Sequence, residues 1–532
     1  MPDTSVIIVG GSLNGLTMAL LLAHHGVRCV LVERHAATTI QYKFAGISPR
    51  SMEIYRSLGI QKEIRAHRTG DQKSGEIARA KNLSAPDVQF QGKPWADTAG
   101  LSAATAETCD QDRLEPILRS HAQRLGADIR FGTELVDLEQ NEHEVIARVR
   151  RSNAADLEVI TASYAIACDG VTGETRERVG VGRHGPGVIQ HWMNLIFEAD
   201  LQPYLLGKRF TSCFVTDINA AIVPREDRWL LALQYAPERG EKPEDFDQIR
   251  TGQLVRQAAG RENVRVKLFD ARPWQVTAYV ADRFCEGRTF ILGDAAHSMP
   301  PTGGFGGNTG IHDAHNLAWK LALVTRGIAS PELLETYDSE RRPIAQGTLD
   351  QSLARLAAWF KNLGDRLPPP AQIIEDSAVI LGQCYRAGAF VSQDGAESAL
   401  FEDPRAPRGR PGSRAPHVDI KHATGSASVH DLVGRNFLLL IGTEGEPWEK
   451  AAALTAHDFK IELRSIRLAQ EDHAAQSRLL HAYRIDARGA VLIRPDGVIA
   501  WRSDGESADA ANALRVAIGS VLGTPSPPSA KS

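Results

Sequence analysis

Apolar and polar residues alternate near the start of the chain in a pattern that predicts a strand, a helix and a second strand. Ser5 to Val9 is a short β-branched run, Leu13 to His25 has apolar residues at helical spacing, and Arg28 to Glu33 is a second apolar run. Two more helices are predicted at Pro49 to Leu58, with proline near its start, and at Asp112 to Leu125. Short strands are expected next, at Val145 to Val149 and Val159 to Ala167.

The pattern changes in the middle of the chain, where strands follow one another without intervening helices. From about His191 to Tyr235 the runs WMNLIFEADL and WLLALQY are typical of an antiparallel layer. Thr289 to Leu292 is again a buried strand, and Gly310 to Arg326 is a periodic helix preceded by a glycine-rich loop. The chain is therefore expected to leave its first domain and later return to it.

A Pro- and Arg-rich segment, residues 402–416, is predicted to be a linker to a small C-terminal α/β domain. The whole chain is assigned to the α/β class, with a Rossmann-like first domain and an antiparallel-sheet middle domain. The predicted boundaries are residues 1–180 and 270–400 for the first domain, 181–269 for the middle domain, 401–523 for the C-terminal domain and 524–532 for a disordered tail.

Composition narrows the class of protein. The 532 residues carry a formal charge of −4 without a basic stripe, which argues against a nucleic-acid partner. The six cysteines are widely spaced and form no CxxC pair, which is typical of reduced thiols in a cytoplasmic protein. No run reaches the roughly 20 apolar residues of a membrane span, and the N-terminus lacks the basic region of a signal peptide.

The first candidate site is the turn GGSLNG between the first predicted strand and helix. Gly10, Ser12 and Gly15 have the spacing of a dinucleotide fingerprint, in which small residues let the backbone approach a pyrophosphate. Glu33 ends the next strand, where a carboxylate can accept hydrogen bonds from a ribose. Taken alone, this pattern fits NAD as well as FAD, and it also fits a glycine-rich turn with an incidental glutamate.

The second candidate site is the more specific string GDAAHSMPPTGGFGGN, residues 293–308, which follows a buried strand. With it, the chain resembles the FAD-dependent aromatic hydroxylases, the para-hydroxybenzoate hydroxylase and phenol hydroxylase family. The resemblance covers about residues 4–390. It is carried by GGSLNGL with Glu33, SPRSMEIYRSLG, TCDQDRLEPIL, the Asp-Gly pair of ACDGVTGETR, and the second string followed by LLETYDSERRP.

The resemblance implies a non-covalent FAD, with NADPH or NADH as co-substrate. It places Gly10, Ser12 and Gly15 at the pyrophosphate, Glu33 at the ribose, Asp294 at the ribityl chain, and the amides of Gly304 to Asn308 at the pyrimidine edge. It places Arg50 and Gln111 beside the ribityl chain and phosphate, and Asp169 where FAD and the nicotinamide are organised. The predicted cofactor-binding set is Gly10, Ser12, Leu13, Asn14, Gly15, Glu33, Arg34, Lys43, Arg50, Gln111, Asp169, Asp294, Pro301, Gly304, Gly306, Gly307 and Asn308.

Two residues depart from the family pattern. Lys43 stands where relatives usually have arginine, and Gly173 stands where the Asp-Gly motif usually continues to serine. Lysine cannot reproduce the planar fork of a guanidinium, so the contact with the nicotinamide cofactor is expected to differ.

The C-terminal domain resembles the thioredoxin-like appendage of phenol hydroxylase and of polyketide hydroxylases of the aklavinone and angucycline type. Its matching segments are GRPGSRAPHV, HDLVGRNFLLLIG and VLIRPDGVIAWRSD, and it contains no cysteine, so a redox role is excluded. It is expected to be structural or to support a homodimer. YAPERGEKPEDF, in the middle domain, also looks like the polyketide hydroxylases and points to a fused-ring phenol as substrate.

The function that follows from the resemblance is a single-component monooxygenase in which a flavin hydroperoxide transfers oxygen to an aromatic carbon. The sequence does not identify the residue that activates the phenol. Trp192, Asn194, Phe214 and Tyr235 are candidates for lining the substrate pocket, although each also fits ordinary packing in a sheet.

Alternative functions differ mainly in the pocket. A Baeyer-Villiger or epoxidising enzyme and a simple phenol hydroxylase would share the FAD motifs, and a non-catalytic flavoprotein would bind FAD without turnover. The WxWxIP motif of flavin halogenases is absent from the sequence, and an NAD dehydrogenase leaves the Asp294 loop unexplained. No metal site is predicted, although His312 and His315 are three residues apart with His297 in the preceding loop.

Overall fold

The computed structural model describes residues 2–40, 44–69, 76–92, 94–225, 228–360, 363, 367–392, 399–422, 425–468 and 473–524. Within these ranges the strands are β1 (Thr4–Val9), β2 (Cys29–Glu33), β3 (Gly46–Ile47), β4 (Ile77–Ala80), β5 (Val88–Phe90), β6 (Glu107–Thr108), β7 (Asp128–Phe131), β8 (Thr133–Gln140), β9 (Val145–Arg151), β10 (Glu158–Ala167), β11 (Arg183–Glu198), β12 (Ser212–Val215), β13 (Ala220–Pro224), β14 (Trp229–Tyr235), β15 (Lys267–Ala281), β16 (Cys285–Glu286), β17 (Thr289–Ile291), β18 (His297–Ser298), β19 (Asp419–His422), β20 (Gly425–Ser428), β21 (Phe437–Ile441), β22 (Leu463–Arg467), β23 (Ala490–Ile493) and β24 (Ile499–Ser503).

The helices in the same ranges are α1 (Leu13–His24), α2 (Pro49–Ser57), α3 (Gln61–Ala66), α4 (Gln111–Arg124), α5 (Thr175–Arg178), α6 (Gln248–Ala259), α7 (Gly306–Thr325), α8 (Glu332–Trp359), α9 (Asp376–Leu381), α10 (Val429–Val433), α11 (Glu446–Phe459), α12 (His473–Tyr483) and α13 (Ala510–Leu522). The bounds of α1, α2 and α4 lie within one residue of those that the sequence predicts. The helix predicted from Gly310 begins earlier, because Gly306 to Thr309 of the glycine-rich string are already helical.

The first sheet has the order β16-β17-β10-β1-β2-β7; in addition, β9 pairs with β10, and β8 pairs with β9. Strand β1 pairs in parallel with β2 and β10, and β10 pairs in parallel with β17. Strands β10 and β17 are thus neighbours in the sheet although they are far apart in the sequence. The α/β class is confirmed, and β17 lies in the same sheet as β1.

The second sheet has the order β18-β15-β11-β14-β13-β12-β4-β5, and β12 and β4 form its parallel pair. Its central strands β11, β14 and β15 are antiparallel, as predicted. The sheet draws β4 and β5 from before the predicted middle domain, and most of β15 and all of β18 from beyond it. Strands that are far apart in sequence therefore complete this layer.

The C-terminal part has a four-stranded mixed sheet in the order β22-β21-β23-β24 with helices packed on it. A buried ion-pair network joins it to the first domain. Arg494 donates to both carboxylate oxygens of Glu340, at 2.7 and 2.8 Å, and Lys320 donates to Glu340 at 2.9 Å. Burial tends to raise the pKa of Glu340, but Arg494 and Lys320 outweigh it and hold that pKa at about 2. The C-terminal part is thus tied to α7 and α8 of the first domain.

Candidate active site

The turn between β1 and α1 is built for close approach of a ligand to the backbone. Gly10 has φ 105°, and a Cβ there would lie 2.4 Å from the carbonyl oxygen of Cys168. A Cβ on Gly15 would lie 1.9 Å from the carbonyl oxygen of Gly10. Leu13 is buried, whereas Ser12 is exposed at the N-terminus of the 12-residue helix α1. The free amides and positive dipole of a helix start suit a phosphate.

A hydrogen-bond cluster explains why serine occupies the middle position of the fingerprint. The Ser12 hydroxyl donates to Glu115 Oε1 at 2.7 Å. Gln111 Nε2 donates to Ser12 Oγ at 2.8 Å and to the same oxygen of Glu115 at 2.6 Å. Burial raises the pKa of Glu115. The structure thus brings the predicted residue Gln111 to the turn, together with Glu115, which sequence reasoning missed although it lies one helical turn further on.

Glu33 and Arg34 lie at the end of β2, beside the same turn. One Glu33 oxygen accepts a hydrogen bond from the amide of Gly11 at 2.6 Å, and the other accepts from the amide of His35 at 2.8 Å. Arg34 is exposed. The carboxylate therefore stands at the mouth of the fingerprint turn.

Asn14 joins the two halves of the predicted site. A Cβ on Gly293 would lie 2.2 Å from Asn14 Nδ2, and one on Gly310 would lie 2.3 Å from the same atom. Asn14 Oδ1 is buried and has no hydrogen-bond partner among the described residues. Asp294 follows Gly293 and is exposed. Two segments almost 300 residues apart in sequence thus share one side-chain contact.

The glycine-rich string ends as the first turn of α7. The amide of Gly304 donates to the carbonyl oxygen of Pro301 at 3.0 Å. Pro301 itself is exposed. A Cβ on Gly307 would lie 2.6 Å from the Phe44 ring, so glycine is required there. Helix α7 begins at Gly306, so the amides of its first turn have no partner within the helix. These amides can stabilise negative charge on a bound group.

The side chain of Asn308 has a structural role. It donates from Nδ2 to the carbonyl oxygens of Gly46 and Gly304, at 3.0 and 2.8 Å. Its Oδ1 accepts from the Ser48 amide at 2.9 Å and from the Ser51 hydroxyl at 2.7 Å. The four bonds use its hydrogen-bonding capacity, so the backbone of Asn308 rather than its side chain is available at the site.

Trp95, which sequence reasoning missed, packs on the glycine-rich string. Its Nε1 donates to the carbonyl oxygen of Gly303 at 3.1 Å, and its ring lies 3.0 Å from the position of a Cβ on Gly304. Trp95 has φ 57°, an uncommon conformation for a bulky residue. Its segment has no hydrophobic period that would have indicated this position.

Asp169 and Gly173 explain one of the departures from the family pattern. Asp169 Oδ2 accepts from the Thr175 amide at 2.9 Å, and its Oδ1 is buried without a partner among the described residues. A Cβ on Gly173 would lie 2.1 Å from Asp169 Cγ. Because the carboxyl group packs directly on the backbone, a serine at this position would displace it.

The contacts of Arg50 lie on α2 and in the C-terminal part, and its place beside the FAD stays a prediction. Its guanidinium donates to Glu53 Oε2 at 2.9 Å and to the carbonyl oxygen of Asp496 at 2.6 Å. It also lies 3.4 Å from His430 Nδ1. Arg50 thus links α2 to the C-terminal part, because the carbonyl oxygen of Asp496 accepts a hydrogen bond from its guanidinium. Lys43 lies outside the described residues.

The four pocket candidates divide between two faces of the second sheet. Trp192 stacks against Trp274 with ring centroids 5.6 Å apart, and Asn194 Oδ1 accepts from Trp274 Nε1 at 2.8 Å. Phe214 lies on this face too, with its ring 6.3 Å from that of Phe360, which also contacts Trp192 at 6.2 Å. These residues form the aromatic face.

Tyr235 belongs to the opposite face. It pairs with His191, which alternates with Trp192 along β11, and its ring lies 6.0 Å from that of Phe246. The core there includes Met193 and Leu233, whereas Trp192 belongs to the core of the first domain. Tyr235 therefore packs against Phe246, which lies just before α6, on the face opposite to the other three candidates.

An ion pair connects the second sheet with the residues around the fingerprint turn. Arg225, just after β13, lies 3.1 Å from Asp110, which precedes Gln111. Burial raises the pKa of Asp110, and Arg225 opposes that effect. The contact fixes the sheet next to α4.

Two of the three histidines considered for a metal contact other side chains. His297 Nε2 lies 2.6 Å from Asp313 Oδ2, and Arg341 donates to the second oxygen of Asp313 at 2.8 Å. His312 Nε2 lies 3.2 Å from the Ser51 hydroxyl, and burial lowers the pKa of His312 and, to about 3, that of His315. The described residues contain no group of three or more His, Cys, Asp or Glu side chains that could hold a metal ion.

The arrangement fits an FAD molecule. The turn at Gly10 and Gly15 allows close approach of a pyrophosphate, the Glu33 carboxylate lies beside this turn, and the first turn of α7 offers free amides. The unpartnered oxygens of Asn14 and Asp169 are buried polar atoms that a bound molecule or water can satisfy. None of the helices in the described ranges has the length and apolarity to cross a membrane.

Comparisons with known proteins agree with this site. Residues 3–352 match the family model described as an FAD binding domain, and residues 408–525 match the aromatic-ring hydroxylase C-terminal model. The chain is 35% identical to a tetracenomycin A2 monooxygenase-dioxygenase of Streptomyces glaucescens and 34% identical to a 4-methyl-5-nitrocatechol 5-monooxygenase of Burkholderia sp, with 98% of each chain covered in both comparisons.

The fold also matches a solved enzyme over almost the whole chain. A crystal structure of aklavinone-11 hydroxylase in a ternary complex with FAD and aklavinone superposes with a TM-score of 0.91 at 33% identity. The comparison covers 98% of this chain and 99% of that one. Since the first family model spans well over half of the 532 residues and the relatives match end to end, this protein is an enzyme that belongs to the FAD-dependent aromatic hydroxylase family of monooxygenases.

Proposed function

We propose that this enzyme uses FAD and NAD(P)H to hydroxylate a phenolic, polycyclic aromatic substrate of the polyketide type. The observation that carries the proposal is the aromatic face formed around Trp192, Trp274 and Phe214, in a chain that matches aromatic-polyketide enzymes from end to end. Flat aromatic rings pack well against such side chains. The compounds for which two relatives are named, tetracenomycin A2 and aklavinone, support a fused-ring substrate.

Bound FAD would supply electron transfer from NAD(P)H and the activation of dioxygen. The residues of the chain have three tasks around it. The start of α1 and Glu33 hold its phosphate and ribose, and the amides at the start of α7 stabilise negative charge at the pyrimidine edge. The aromatic face orients the substrate ring and excludes water from the reacting atoms.

A monocyclic phenol is the second candidate substrate. It is favoured by the relative that acts on 4-methyl-5-nitrocatechol, which is as similar to this chain as the polyketide enzyme is. The two candidate substrates differ in how much of the aromatic face they cover, because a single ring would leave part of it uncovered.

The experiment is to purify the enzyme with FAD and measure NADPH, NADH and oxygen consumption with two phenols. The proposal predicts that 1,8-dihydroxyanthraquinone stimulates consumption more than 4-nitrocatechol does. Stimulation by 4-nitrocatechol alone would favour the monocyclic alternative, and stimulation by neither would contradict the proposal. The NMR spectrum of the product separates ring hydroxylation from lactone formation.

A further inference from the structure

Two alanines lie in the middle of the aromatic face. Across the strands, Phe214 is opposite Ala221, Ala221 is opposite Ala232, and Ala232 is opposite Asn194. Both alanines are partly exposed. With strands roughly 4.8 Å apart, the row from Phe214 to Asn194 spans about 14 Å. A flat fused-ring system fits this length better than a single ring does.

The next row of the same face carries three nitrogen donors. Trp192 is opposite both Gln234 on β14 and Trp274 on β15. Trp192 Nε1 donates to Gln190 Oε1 at 3.1 Å, and Trp274 Nε1 donates to Asn194 Oδ1 at 2.8 Å. Gln234 Nε2 is buried and has no hydrogen-bond partner among the described residues. The two indoles are thus satisfied within the protein, and the amide of Gln234 is not.

We propose that Gln234 is a specificity-determining residue that donates a hydrogen bond from Nε2 to an oxygen at the edge of a polycyclic substrate. The substrate would lie over Ala221 and Ala232, and the oxygen would be a ring carbonyl or a phenolate, since both accept a hydrogen bond in the plane of the ring. A buried donor without an acceptor is unfavourable, so a ligand that supplies the acceptor is preferred over one that lacks it. The inference rests on the proposed function and names the group that recognises its substrate.

The contact distinguishes polycyclic from monocyclic phenols by position. Gln234 lies in a different row from the two alanines, so a ring system has to extend past Ala232 to reach its amide. A small phenol that packs against Phe214 cannot make this contact at the same time. Gln234 therefore selects both for ring number and for an oxygen at one edge.

The test is titration of the FAD-loaded enzyme with 1,8-dihydroxyanthraquinone by calorimetry, using wild type, Gln234→Leu, Gln234→Glu and the control Tyr235→Phe. Tyr235 is the neighbouring residue on the opposite face, so its variant should bind the probe as wild type does. Gln234→Leu should bind about 10- to 100-fold more weakly, and Gln234→Glu should bind more weakly still because a carboxylate repels the acceptor. FAD content, measured in each variant, should be unchanged.

The outcomes separate the two proposals. Equal affinity of wild type and Gln234→Leu, or tighter binding by Gln234→Glu, would overturn the role of Gln234 and leave the proposed function intact. No binding of the probe by wild type would overturn both. The pH dependence of the affinity of wild type distinguishes the two oxygens, because recognition of a phenolate strengthens as the phenol ionises and recognition of a carbonyl does not.

Discussion

Asn14 on α1 packs directly against Gly310 on α7. A Cβ on Gly310 would lie 2.3 Å from Asn14 Nδ2 and 2.6 Å from Asn14 Cγ. The contact joins the fingerprint turn to the helix that follows the glycine-rich string. Because the Asn14 side chain fills the space between the two helices here, their spacing depends on the absence of a methyl group at position 310.

Gly310→Ala should therefore separate α1 from α7 and weaken FAD binding. Overpacking of this kind typically costs about 1–3 kcal/mol of stability. Thermal unfolding and the fraction of FAD retained after gel filtration measure the effect. The double variant Asn14→Ser/Gly310→Ala shortens the opposing side chain and should recover part of the stability, whereas no recovery would show that the contact is not the cause.

Asp294→Ala should weaken FAD binding by about 10- to 100-fold, the range expected for loss of a charged hydrogen-bonding group. Asp294 is exposed next to Gly293, where the resemblance places the ribityl chain. Titration of the apoprotein with FAD, followed by flavin fluorescence, gives the dissociation constants. Asp156→Ala, at an exposed carboxylate between β9 and β10, is the control. Equal affinity in the Asp294 variant and wild type would contradict the placement.

Glu340→Gln should destabilise the protein by about 3–5 kcal/mol, because it leaves Arg494 and Lys320 buried without their shared carboxylate. Chemical denaturation measures the free energy of unfolding. Glu375→Gln breaks the exposed pair with Arg405 and should change that free energy by less than about 1 kcal/mol. Similar losses in the two variants would mean that the buried network does not stabilise the junction with the C-terminal part.

The protein should lose stability when the pH falls from 7 to 5. Burial keeps the pKa values of His25, His312 and His430 well below 6.5, so these rings stay neutral in the folded chain. In the unfolded chain these rings bind protons below about pH 6.5. Protonation therefore favours unfolding, and the loss of stability grows as the pH falls further below about 6.5. By pH 5 the cost is about 2 kcal/mol for each histidine.

Thermal unfolding at pH 7, 6 and 5 tests this dependence. The carboxylates Glu340 and Asp313, whose pKa values are lowered, contribute to acid destabilisation only below about pH 4.5, so they do not obscure the comparison. His25→Gln should reduce the slope of stability against pH. An unchanged slope in this variant would exclude His25 as one of the groups responsible.

Local patterns predicted most of the first domain. The strand and helix periods of Ser5 to Glu33 and the helix starts at Pro49 and near Asp112 are properties of short segments, so their bounds agree with the structure within one or two residues. Helix α8, of 28 residues, was not predicted from the hydrophobic pattern. It contains Pro343 and buries side chains around much of its circumference, so it lacks one clear apolar face.

The candidate site was predictable where the spacing of glycines alone indicates it. At Gly10, Gly15 and Gly307 a Cβ would collide with a neighbouring atom, so only glycine fits there, and glycine is visible in the sequence. The contacts of the Arg50 and Tyr235 side chains were not predictable in this way. Arg50 meets a carbonyl oxygen 446 residues away, and the face of Tyr235 depends on the register between β11 and β14. Trp95 and Glu115 also act through partners distant in sequence.

Turnover under ¹⁸O₂ tests whether the enzyme uses FAD to oxygenate a polycyclic phenol. The FAD-loaded enzyme is incubated with NADPH and 1,8-dihydroxyanthraquinone, and the product is analysed by mass spectrometry. We expect a product that contains one ¹⁸O atom from dioxygen, with one NADPH consumed for each molecule formed. Oxidation of NADPH without any labelled product, or a product whose added oxygen comes from water, would contradict it.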